Sequence, residues 1–208
     1  MNISNQDRER IKNKIAEVEK ITSAEIVPMI IDQSDEYPVA HFRAGVFGAV
    51  IASLILYLSP LHFINPIYFL WIQIPGFLIG YLLCYIPFFK RILSTKKERQ
   101  IEVHQRAMEA FFHHNLHLTT KHNGVLIYFS VLEKRMHIIA DNGITKMISN
   151  SHFENIINQT TEHLLHEGVV AGMLNTIELS ANLLSKYFPQ DGTKKDNQLS
   201  DALITENK

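Results

Sequence analysis

Residues 44–89 read AGVFGAVIASLILYLSPLHFINPIYFLWIQIPGFLIGYLLCYIPFF. Across these 46 positions there is no Asp, Glu, Lys or Arg. A helix on the surface of a soluble core keeps a polar face, and this stretch offers none. Two apolar runs share the block, 44–61 and 67–89, divided by Ser59-Pro60 and Asn65-Pro66. At about 1.5 Å per residue they make helices of about 27 and 34 Å, which match a hydrocarbon core of about 30 Å. A backbone in lipid must satisfy its own hydrogen bonds, so spanning runs are helical. The stretch therefore predicts a transmembrane hairpin within residues 42–90. Pro75 and Pro87 predict kinks in its second helix. Gly45 and Gly48, three apart, let the two helices approach closely.

The flanks set an orientation. The tip, residues 62–65, carries no Lys or Arg, whereas Arg43 precedes the first run and Lys90, Arg91, Lys96, Lys97 and Arg99 follow the second. The positive-inside bias puts both termini in the cytoplasm, with the chain multi-pass in the inner membrane. The first 40 residues are polar and lack the apolar stretch of a cleavable leader. The expected partners are the lipid bilayer and either another membrane protein or a second copy of the chain. A formal net charge of −1 provides no basic field for a nucleic-acid backbone, which excludes DNA and RNA binding. The one cysteine, Cys84, lies inside the apolar block, so an intrachain disulfide and a cysteine-based zinc site are both excluded.

Outside the block the sequence reads as a soluble α/β domain. Residues 5–20 carry Ile11, Ile15 and Val18 on one stripe, with Ser4 or Asn5 as the cap. Residues 24–31 form a β-branched apolar run, read as a buried strand, which the acidic DQSDEYP (32–38) breaks. Residues 94–119 read as a helix and 124–131 as a second strand. Residues 135–140 form a third strand after a tight turn at Glu133-Lys134, and Asp141-Asn142-Gly143 makes a further turn. Helices over 151–166 and 169–188 follow, and 190–208 reads as a polar, flexible tail. Strand one is separated from its partners by the hairpin, and no fragment alone holds enough sheet to fold. The domain is therefore expected to reassemble from residues 1–40 and 92–189 across an inserted hairpin. The fold class is α/β, a small mixed sheet of three or four strands packed with helices.

Several segments carry a family resemblance. TSAEIV (22–27), NGVLIY (123–128), KRMHIIADNGI (134–144) and EGVVAGM (167–173) occur in the order and spacing of the TPM domain family, which the chain resembles. QSDEYPVAHFR (33–43), VHQRA (103–107), KYFP (186–189) and DNQLSD (196–201) resemble its membrane-embedded subgroup. The resemblance implies an α/β sandwich. It implies either acid phosphatase activity with divalent-cation binding, or a role in assembling or maintaining membrane complexes. The chain departs from the family where many members have an Asp after the glycine turn and this sequence has Ser149-Asn150.

The residues themselves leave both functional classes open. A phosphatase needs a nucleophile or metal-activated water and charge to receive the phosphoryl oxygens. The sequence has no glycine-rich phosphate loop and no Gly-x-Ser-x-Gly turn. Strand one is expected parallel to strand two, and strand two antiparallel to strand three. That topology gathers Glu25, His122, Asn123, Asp141 and Asn142 at one sheet edge, facing the cytosol, with both carboxylates exposed. It puts Asp32, Asp35, Glu36 and Glu133 at the other edge, facing the membrane. Glu25, Asp141 and Asn142 form the candidate metal set, an oxygen-rich group suited to Ca²⁺ or Mg²⁺. A strand start and a turn account for the same residues without any ion. Glu109, His113 and His117 repeat every four residues, and Glu162, His163, His166 and Glu167 cluster, but neither has the His-Glu-x-x-His order. These groups read as solvated helix faces. The expectation is a membrane-anchored protein with a TPM-type domain acting as an interaction and assembly module. The alternative is a metal-dependent phosphohydrolase at the membrane surface.

Overall fold

The computed structural model describes residues 3–60, 65–190 and 202–206; the hairpin tip at 61–64, the DNQLSD motif and the side chains of Glu162, His163 and His166 lie outside the described residues. The chain divides into two units, one built from Met1–Ser34 and Ile101–Lys208, the other Asp35–Gln100.

In the first unit, helix α1 spans Asn5–Val18 and is capped by Ser4, whose hydroxyl accepts from the Asp7 amide at 3.1 Å. Its stripe of Ile11, Ile15 and Val18 is buried. Strand β1, Glu25–Ile31, and strand β2, Gly124–Ser130, are buried at every position. Such continuous burial is the mark of strands covered on both faces. They pair in parallel from Glu25↔Gly124 to Ile31↔Ser130. Strand β3, Arg135–Ala140, returns antiparallel to β2 through a turn in which Lys134 takes a left-handed φ of 51°.

Two cores sandwich this sheet. Ile26, Ile30, Val125, Ile127 and Phe129 pack with α1 and with helices α8 (Asn150–Glu167) and α9 (Val169–Leu184). The alternate residues Val27, Met29, Ile31, Leu126 and Tyr128 pack on Val103, Ala107, Ala110 and Phe111 of helix α6, Lys96–His113. The helix expected over 94–119 ends at His113. Asn115, at φ 59°, turns the chain into a short 3₁₀ segment, Leu116–Leu118, which takes His117 out of the i, i+4 row with His113.

The tail differs from expectation. Strand β4, Ile204–Glu206, pairs in parallel with β1 at Met29–Ile31, completing a four-stranded mixed sheet in the order β3-β2-β1-β4. Leu203 is buried in the core, and Arg8 donates to the Thr205 hydroxyl at 3.0 Å. So short a strand suffices because β1 otherwise presents an open edge on that side. Pro28, which has no N–H, precedes the stretch of β1 that β4 covers.

In the second unit, helix α2 spans Pro38–Leu58, starting six residues before the apolar run. Pro38 occupies the first turn and Tyr37 is left-handed at φ 55°. The second run is not one helix. Helix α3, Tyr68–Trp71, and helix α4, Gln73–Leu83, are separated at Ile72, just after Trp71, whose carbonyl the ring of Pro75 four residues on would meet in a continuous helix. Helix α5, Pro87–Leu93, is then bent by 105° from Tyr68–Leu83. Pro87 forces Ile86 into extended backbone, φ −73° and ψ 125°, which ends the preceding helix.

The contact between α2 and α4 runs over glycines. A Cβ on Gly48 would lie 2.3 Å from the Gly76 carbonyl oxygen, and one on Gly80 would lie 2.2 Å from that of Ala44. Gly76 and Gly80, the spacing Gly-x-x-x-Gly, are the partners that the reading of Gly45 and Gly48 passed over. By length and composition, α2 is the one described helix able to cross a membrane, and the bent pair Tyr68–Leu83 with Pro87–Leu93 passes only when taken together.

Candidate functional site

The topology brings the predicted residues to one edge of the sheet. Glu25 opens β1 and its amide donates to the Asn123 carbonyl at 3.1 Å; the Asp141 amide donates to the Gly124 carbonyl at 2.9 Å. His122 precedes this junction with φ 49°. Asn123 is fixed by its amide, which donates to the Thr119 hydroxyl at 3.0 Å. The Asp141-Asn142-Gly143 turn proves to be the start of a short helix, α7 (Asn142–Thr145), with Asp141 as its N-cap. Gly143 is required there, since a Cβ would meet the His122 carbonyl oxygen at 2.4 Å. The 121–123 loop is thus pressed directly onto the start of α7.

The carboxylates are not exposed. Glu25 is 4% and Asp141 6% exposed, while Asn142 lies on the surface. The Asp141 Oδ1 accepts from the Asn142 amide at 2.6 Å, and its Oδ2 faces the His122 Nδ1 at 3.2 Å. The His122 side chain is 64% exposed. A buried carboxylate against Nδ1 fixes the ring and turns Nε2 outward. Chemically, the edge is an oriented, solvent-facing imidazole on a buried acid, with the Glu25 carboxylate two strands away. Among the described residues no three His, Cys, Asp or Glu side chains gather as a metal ion would need.

The opposite edge is divided between the units. Asp32 and Glu133 belong to the sheet unit, whereas Asp35 and Glu36 fall in the other. Glu133 is buried. It accepts from the Ser34 amide at 3.1 Å and from the Ser130 hydroxyl, and the Ser34 and Tyr128 hydroxyls meet at 3.2 Å. This carboxylate holds Ser34 in the loop that leaves β1, a structural task that its place in a tight turn did not disclose.

Of the helix clusters, Glu109 bonds Arg106 at 3.2 Å and Gln105 at 3.3 Å. A different histidine pair does form: His104 Nδ1 and His137 Nε2 lie 2.7 Å apart with rings at 88°. Burial, and then the His104 charge, pushes His137 down to about 4. The strand period offered a signal for this pair, because His137 and Ile139 share the face that α6 covers.

The comparisons bear on the same elements. The TPM domain model matches residues 91–183, a stretch that includes β2, β3, α7 and α8 but neither β1 nor β4. None of the curated proteins matches the sequence. Among solved structures, the NMR structure of BA42 protein from the psychrophilic bacterium Bizionia argentinensis is similar with a TM-score of 0.62. The identity is 18%, over 99% of this chain and 97% of that one, a likeness that speaks for the fold alone.

Proposed function

From a chain that carries a TPM domain at residues 91–183, we propose a membrane-anchored protein whose Asp35–Gln100 unit inserts into the bilayer. Its α/β unit then serves as a cytoplasmic interaction module for another membrane protein or a second copy. One observation carries the anchoring. Only 28% of the apolar window of α2 is buried, whereas a core helix of a soluble protein is covered. The small residues Ala44, Gly48, Gly76 and Gly80 face inward, and Phe47, Val50, Ile51, Leu54, Leu78, Ile79 and Leu82 face out. In water that outward surface would far exceed the few hundred Å² of apolar patch a soluble protein tolerates. The cations flanking the 44–89 apolar block orient both termini to the cytoplasm. Reporter fusions test this: those at residues 1 and 208 are expected to score cytoplasmic and one at residue 62 external. A cytoplasmic score at residue 62 would sink the spanning hairpin.

The interaction reading is preferred over hydrolysis because both oxygens of Asp141 already have partners. The second reading is a divalent-ion phosphohydrolase using Glu25, Asp141 and Asn142. What favours it is the oriented His122 against the buried Asp141 carboxylate. It expects millimolar Ca²⁺ or Mg²⁺ to raise the melting temperature, since binding at a hundredfold excess over Kd adds about 2.7 kcal/mol. Asp141→Asn is expected to abolish that rise while sparing the α7 cap. An unmoved melting temperature and no phosphate released from generic esters leave the interaction module standing.

A further inference from the structure

Resting on the membrane reading above, we propose that α5 is an interfacial elbow. It lies along the bilayer surface and binds anionic phospholipid headgroups through Arg91, Lys96 and Lys97. Three observations within the Asp35–Gln100 unit converge on it. The first is the 105° bend between Tyr68–Leu83 and Pro87–Leu93. A helix turned that far from a spanning segment runs roughly in the membrane plane, even with a tilt of about 20° in the span. The second is the distribution of its side chains. Phe88 and Ile92, one helical turn apart, are 65% and 62% exposed, whereas Lys90 and Ser94 are buried. An apolar face outward beside a cationic end is the pattern of helices that lie at the headgroup boundary.

The third observation is how the cations are used. Arg43 is committed to Glu98 in a two-pronged pair at 2.7 and 2.9 Å and to the Leu93 carbonyl at 2.9 Å. Arg99 donates to the Arg91 and Ser94 carbonyls, the last acceptors of α5. These two arginines brace the elbow from within. Arg91 in its last turn and the exposed Lys96 and Lys97 just beyond it make no ion pair among the described residues. They stand one, four and five positions from Ile92, the end of the apolar Phe88–Ile92 row. When that row enters the acyl boundary, the cations are left at phosphate depth. Each basic residue near an anionic surface is worth about fivefold in lipid association.

The test uses the full chain with Cys84→Ser, reconstituted in nanodiscs of phosphatidylcholine alone or with phosphatidylglycerol. Spin labels are attached singly at Ile51→Cys, Ile79→Cys, Phe88→Cys and Ile92→Cys. Oxygen and nickel-chelate accessibility should place 88 and 92 at one shallow depth, just below the phosphates. A helix continuing the span would separate them by about 6 Å along the normal. In a second arm, electron-spin resonance of labelled lipids should show phosphatidylglycerol enriched over phosphatidylcholine at the protein by tenfold or more. The Arg91→Gln/Lys96→Gln/Lys97→Gln variant should lose that preference. Labels at 88 and 92 in water, or at different depths, or an unchanged preference in the variant, would overturn the elbow. If the labels at 51 and 79 also report water, the membrane reading itself has failed.

Discussion

Residue-scale chemistry is clearest where His104 of α6 meets His137 of β3. At 2.7 Å one ring donates and the other accepts, so a second proton would set two like charges together in a half-buried site. His137 accordingly falls from 6.5 to about 4, through burial first and the His104 charge second. The folded state then takes up this proton near pH 4 and the unfolded state near 6.5. The pair's contribution is therefore intact above pH 6.5 and is lost as pH falls toward 4. At about 1.4 kcal/mol per pH unit the loss is at most about 3 kcal/mol, and less after solvent screening. Denaturation of the full chain across this window should show the decline, and His137→Gln should flatten it. His104→Ala should raise the His137 midpoint followed by NMR; an unmoved midpoint would mean the two rings are not coupled. At the same scale, Asp141 could be placed at the sheet edge from sequence because strand order puts it there. Its burial could not, because the His122 loop that covers it is held by left-handed backbone and by Gly143, and both are decided by what they pack against.

At the scale of elements, the strands and most helices were legible from periodicity. β1, β2, β3, α1 and α8 fall within one or two residues of expectation. The exceptions share a cause. β4 sits in a polar tail where three residues give too short a pattern, and only the open side of β1 makes them a strand. Leu203→Ala should therefore cost about 2–5 kcal/mol, as for other buried leucines, and chemical denaturation would read it. Stability equal to wild type would show that the tail contributes nothing to the sheet. The second apolar run failed as a single helix because Pro75 and Pro87 act through local sterics. Kinks were anticipated there, but the 105° turn at Pro87 is a break, and it divides the run into a segment of about 24 Å and an elbow.

For the whole molecule, the order of the chain sets the folding problem. β1 lies in Met1–Ser34 and its partner β2 lies beyond Ile101, with Asp35–Gln100 between them. Loop-closure entropy grows only slowly with length, so an intervening unit of this size does little to weaken β1–β2 pairing. Replacing Asp35–Gln100 by a Gly/Ser linker is expected to give a soluble α/β unit that unfolds cooperatively by circular dichroism. Aggregation at every linker length tried would instead make the apolar unit part of the folding nucleus.

What the sequence determined by itself is whatever depends on local pattern. This covers the charge-free 44–89 block, the alternation and burial of the strands, the helical stripes and the parallel and antiparallel order that gathers Glu25, Asn123 and Asp141. Tertiary structure alone decided which groups those residues meet. His122 against Asp141, Glu133 on Ser34 and Ser130, His104 on His137 and β4 on β1 join positions whose partners carry no mark in the sequence. Hydrophobic burial is nondirectional and declares itself in composition, whereas a hydrogen bond exists only when geometry brings donor and acceptor together. The apolar pattern therefore announced the fold, and the polar contacts that define its sites had to wait for it.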